Sequence, residues 1–78
     1  MTRKVYYLTK HAQKRMHERN ISQKELNVVL EDPQVSYQGL RGQMNFIREV
    51  NPGRKIRAVT IEKENYIVVI TVMVLENK

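Results

Sequence analysis

The sequence predicts an α+β fold: two N-terminal helices packed across an antiparallel sheet of three or four strands. Three observations predict it. Apolar residues recur at helical spacing as far as Leu30, and each helical segment opens on a capping residue. Asp32-Pro33 then stops the helical half. Beyond Pro33 the spacing shifts toward two, the period of a strand.

Each element has its own signal. A short lead-in strand is expected at 6–8. Thr9 is a good N-cap for a helix over 10–19, and Asn20 tolerates the left-handed conformation that closes one. At about 100° per residue, Leu8, Ala12 and Met16 form an apolar stripe about 80° wide. His11 and Arg15 lie along one edge of that stripe, and Arg19 falls inside it. An arginine there is expensive unless an anion or a set of carbonyls meets it. Ser22 and Glu25 have capping-box spacing, and Ile21 can staple onto Leu26. Leu26, Val29 and Leu30 then supply the buried face of the second helix.

In the second half, Val35 and Tyr37 alternate, and Gly39 and Gly42 bracket a loop carrying Arg41. The segment 43–50 places Met44, Phe46, Arg48 and Val50 on one face and Asn45, Ile47 and Glu49 on the other. Asn51-Pro52-Gly53-Arg54 is a turn by composition. A strand follows at 55–62, with Ile56, Ala58 and Thr60 opposite Arg57, Val59 and Ile61. Lys63-Glu64-Asn65 turns the chain into 66–75, which is apolar on both faces and is therefore expected as the central strand.

Length and composition restrict the class. Seventy-eight residues make a single domain, 1–78, with one modest core. Chains of this size often gain stability from self-association, so a homodimer is among the expectations. The sequence holds no cysteine, which excludes disulfides and thiolate metal sites. His11 and His17 sit on different helix faces, so no metal and no cofactor is expected. The N-terminal M-T-R-K-V-Y-Y lacks the apolar core of a signal peptide, and 66–75 is half the length of a membrane helix. A cytoplasmic protein without a membrane partner is the expectation.

Charge points toward polyanions. Fourteen basic residues against eight acids leave a net charge of +6. The first nineteen residues hold Arg3, Lys4, Lys10, Lys14, Arg15 and Arg19 against Glu18 alone, and 41–57 holds Arg41, Arg48, Arg54, Lys55 and Arg57 against Glu49. Two such blocks facing one way would bind phosphate. RNA or another nucleic acid is the expected partner.

The first helix suggests chemistry. His11 can exchange a proton near neutral pH, and Arg15 lies one turn on, within reach of the same ligand. His11 and Arg15 are the candidate catalytic pair. Arg19, Arg48, Arg57 and Lys55 are candidates for holding phosphate, and Tyr37 and Tyr66 for stacking on bases. RNA supplies its own nucleophile in the 2′-hydroxyl, so such a site would need no metal. Plainer roles exist for the same residues: His11 as cover for the core's edge, Arg19 as a group satisfied by helix carbonyls, and both tyrosines as packing residues.

The run L-T-K-H-A-Q-K-R-M-H-E-R-N-I-S, with L-E-D-P and a late I-T-V, resembles the bacterial family called domain of unknown function 4258. The family signature H-A-x-x-R-M-x-x-R-G-I is matched by His11, Ala12, Arg15, Met16, Arg19 and Ile21, with Asn20 standing where glycine is usual. A looser similarity in size and helix-then-sheet order links such proteins to RelE-like ribonuclease toxins. That similarity implies metal-independent RNA cleavage and an acidic antitoxin protein as partner. Two main functional readings follow: a toxin-type endoribonuclease, and a non-catalytic module that binds nucleic acid or a partner. A third makes His11, Arg15 and Arg19 a structural lock between helix and sheet.

Overall fold

Thr9 sets the frame of the fold, because three hydrogen bonds of its N–H and hydroxyl fix where the first strand ends and the first helix begins. In a computed structural model that describes residues 5–76, β1 (Val5–Leu8) leads into α1 (Lys10–Glu18) and α2 (Gln23–Glu31). The strands β2 (Val35–Gln38), β3 (Met44–Asn51), β4 (Arg54–Glu62) and β5 (Tyr66–Glu76) follow. Arg3 and Lys4 of the first basic block lie outside the described residues, as does Lys78. The Thr9 N–H donates to the Val69 carbonyl at 3.2 Å, and its Oγ1 donates to the Ile70 carbonyl at 2.9 Å. The same Oγ1 accepts the Ala12 N–H at 3.0 Å, which is the N-cap bond of α1.

The expected sheet is corrected. It has five strands in the order β1-β5-β4-β3-β2, and it is mixed, because β1 pairs with β5 in parallel while the other pairs are antiparallel. The chain does not place two helices ahead of a three- or four-stranded antiparallel sheet; a strand precedes the helices and joins the sheet from the opposite end of the sequence. The helix-then-sheet order behind the likeness to RelE-like toxins is therefore not the order of this chain. The physical reason is that the strand expected at 6–8 and the alternation of Val35 and Tyr37 mark two short strands without marking their partners. The parallel pair also joins Leu8 to Val69 across most of the chain, a contact that no local pattern encodes.

A second correction concerns the middle of the sheet, which is β4 and not β5. The Val59–Thr71 and Thr60–Val69 pairings leave Ile70 as an extra residue in β5. This bulge shifts the alternation, so Val69 before it and Val72 after it both reach the core. The continuous apolar run in β5 thus reflects a phase change together with an open face.

The helices cover one face of the sheet. The core gathers Ala12 and Met16 of α1, Leu26, Val29 and Leu30 of α2, and Ile56, Ala58, Val69 and Val72 of the sheet. Leu8 reaches this core from β1 and not from the first helix. Both helix boundaries follow their sequence signals closely. The Ile21 N–H bonds the Met16 carbonyl at 2.8 Å and the Asn20 N–H bonds the His17 carbonyl at 3.3 Å, with Asn20 at φ 54°. That is a Schellman closure, with buried Ile21 and Met16 as its apolar pair. Ser22 and Glu25 form the capping box of α2.

Candidate anion-binding site

The last turn of α1 stands over a strand edge that has no partner among the described residues. β1 covers only Tyr66–Val69 of β5, and Thr9 then turns the chain away into α1. Among the described residues, the outer edge of 71–75 therefore carries no strand. Thr71, Val72, Met73 and Val74 form one wall of a recess of about 490 Å³; Arg15, Arg19 and Arg54 form the rest.

The three arginines are held differently. Arg54 is a tie. Its Nε donates to Glu25 Oε2 at 3.1 Å, and its Nη2 donates to the carbonyls of Arg19 at 3.2 Å and Asn20 at 2.9 Å. It thereby joins the start of β4 to the end of α1 and the first turn of α2, and it meets the helix carbonyls left open at a C-terminus. Glu25 takes part on both sides: its Oε1 accepts the Ser22 N–H at 3.0 Å while its Oε2 holds Arg54. The Ser22 N–H, helped by the hydrogen bond and charge of Arg54, lowers the Glu25 pKa from its ordinary 4.5 against the opposing effect of burial.

Arg15 is half-exposed and makes a loose pair with Glu18, 3.8 Å away. Arg19 is exposed, and its guanidinium has no acidic partner among the described residues. Because α1 ends at Glu18, Arg19 leaves the apolar stripe in which ideal helical phase would place it. Three guanidinium groups against Glu18 and Glu25 leave one net positive charge at the recess. Arginine side chains of this kind bind oxyanions through paired N–H groups, and the edge N–H groups of β5 add neutral donors beside them.

The structure disperses the remaining candidates. His11 is exposed one turn before Arg15 on α1 and does not line the recess. Arg48 points to the helix side, where its Nη1 donates to the Asp32 carbonyl at 2.9 Å and lies 3.3 Å from Asp32 Oδ2. Lys55, Arg57, Tyr37 and Tyr66 lie on the opposite face of the sheet. Tyr66 packs edge-on against Tyr7 with ring centroids 5.3 Å apart. Tyr37 is three strands away in β2, roughly 14 Å by strand spacing, so the two candidate stacking rings do not form one platform. Sequence reasoning missed Arg54 as a recess residue. Its position after the Pro52-Gly53 turn signals the hairpin, but nothing local signals contact with Glu25, twenty-nine residues away. Among the described residues no group of three or more His, Asp or Glu side chains could hold a metal ion, and no helix is long and apolar enough to cross a membrane.

The fold and the recess define a small basic α+β domain whose family motif builds one cationic corner. Residues 8–74 match the family described as Domain of unknown function (DUF4258), and the chain belongs to that family. No curated protein and no solved structure matches it.

Proposed function

We propose that this protein is an RNA-acting domain that holds the phosphate backbone of a single strand in the recess between α1 and the open edge of β5. The observation that carries the proposal is the convergence of Arg15, Arg19 and Arg54 on one recess, with Arg19 lacking any acid partner among the described residues. Arg15 and Arg19 supply the contacts to phosphate oxygens, and Arg54 holds the backbone of Arg19 so that its side chain faces the recess. The recess is open and shallow, which suits a polymer that passes through it better than an enclosed small molecule.

A second reading adds cleavage. His11 stands exposed one turn from Arg15, within the spacing at which helix neighbours meet one ligand. Its imidazole would take the proton of the 2′-hydroxyl as that oxygen attacks the adjacent phosphorus. Arg15 and Arg19 would bind the developing charge on the phosphorane oxygens. The bond to the 5′-oxygen then breaks, and that oxygen takes a proton from water while the imidazolium returns its own to solvent, leaving a 2′,3′-cyclic phosphate and a free 5′-hydroxyl.

Fluorescence anisotropy with a labelled single-stranded RNA tests the binding proposal. The Arg15→Ala/Arg19→Ala protein should bind about tenfold or more weakly than the wild type. Equal affinity of the two would remove the recess as the binding site. Incubation of the same RNA with wild type and His11→Ala tests the second reading. Cleavage lost with His11 supports it, and cleavage retained or never seen overturns it.

A further inference from the structure

Among the described residues, no element covers the other face of the sheet. Cross-strand register places Val5 and Tyr7 of β1, Tyr66 of β5, Ile61 of β4, and Val35 and Tyr37 of β2 on this face. Those six side chains are between 38% and 56% exposed. A sheet face with so many apolar groups is normally covered by another layer, and a large bare patch marks a contact surface.

Arg57 lies near the middle of this face. Ile47 and Met73 are its direct cross-strand neighbours, and buried Val59 follows two residues along the same strand. Its Nε is buried, and among the described residues it has no hydrogen-bond partner and no acid pairs with the guanidinium. The nearby Glu49 lies opposite Lys55, and its Oε2 already accepts the Gly53 N–H at 2.9 Å. An orphaned guanidinium N–H among apolar side chains is costly to leave unmet, and a carboxylate is its natural acceptor.

We propose that this face docks an acidic amphipathic helix of a partner protein, with its apolar side on the valine–tyrosine surface and a carboxylate on Arg57. Charge chooses this occupant over a second copy. The chain carries +6, and two copies meeting by a two-fold axis near the centre of this face would bring Arg57 and Lys55 against their equivalents. An acidic helix would instead cover apolar surface and give the Arg57 guanidinium an acid partner. This face meets the recess at the edge of β5, where Met73 belongs to both, but it is centred on Arg57, which does not line the recess, and the proposal does not rest on RNA binding.

The test titrates a synthetic helical peptide, leucines on one side and glutamates along its flank, into isotope-labelled protein followed by NMR. Shifts are expected at Ile47, Arg57 and Val59, and little change at Arg15 and Arg19. Replacing the glutamates by glutamine, or Arg57 by methionine, should each weaken binding about tenfold or more. Arg57→Lys should restore part of the loss, and Arg15→Ala/Arg19→Ala should leave affinity unchanged. Shifts confined to α1, no binding, or affinity indifferent to Arg57 would overturn the proposal. So would a dimer in sedimentation equilibrium whose formation protects this face.

Discussion

Arg54 and Arg19 show how alike residues on one recess take different work. Arg54 spends its Nε and one Nη on Glu25 and on two main-chain carbonyls, whereas the Arg19 side chain faces solvent and the recess. Arg54→Ala should therefore lower stability by about 1–2 kcal/mol in urea unfolding, a figure reduced from a buried ion pair because both partners are partly solvated. Arg19→Ala should change it by less than about 0.5 kcal/mol, as expected for a surface cation. Equal losses in the two proteins would contradict the division. Glu25 gives a pH signature at the same scale. Its pKa in the folded protein lies below the ordinary 4.5, so the folded state binds fewer protons in that window. Its contribution is complete above 4.5 and is lost as pH falls through the lowered value. Glu25→Gln should flatten the acid side of a stability–pH curve; an unchanged acid slope would remove Glu25 as its source. Sequence spacing revealed half of this residue's role, the capping box. The bond to Arg54 depends on tertiary approach and left no local trace.

At the scale of elements, Thr9 decides how much of β5 stays open. Its N–H and Oγ1 close β1 against Val69 and Ile70, and the same oxygen starts α1. Thr9→Val keeps the shape but removes both the cap and the bond to Ile70. Thermal unfolding should show a loss of about 1–2 kcal/mol, and a loss no larger than that of an exposed threonine would deny Thr9 this place. Caps, closures and turns were legible because each is written within a few residues: Thr9, Asn20, Ser22 with Glu25, and Pro52-Gly53. The strand order was not legible. β1 and β2 are four residues long, and β1 pairs with β5 from the other end of the sequence. The apolar run of β5 also misled, since a bulge at Ile70 and a bare face together imitate a strand buried on both sides.

For the whole molecule, the +6 charge and the recess together predict binding that depends on salt. The family motif supports this corner in a particular way. Ala12 and Met16 anchor α1 in the core, Ile21 closes it, and Arg15 and Arg19 are left to face the recess. The motif therefore couples a structural requirement to a pair of presented cations; helical phase put Arg15 at the stripe's edge but Arg19 inside it, and only the end of α1 at Glu18 brings Arg19 out beside Arg15. His11 shares the helix but stands apart from the recess, so the residues that bind and the residue that would move a proton can be separated by mutation. The most direct measurement is the slope of log K against log salt for a short single-stranded RNA, in wild type and in Arg15→Ala/Arg19→Ala. If each arginine meets one phosphate, the slope should shrink by about 1.4 in the double variant, from roughly 0.7 per contact. An unchanged slope with unchanged affinity would contradict the account.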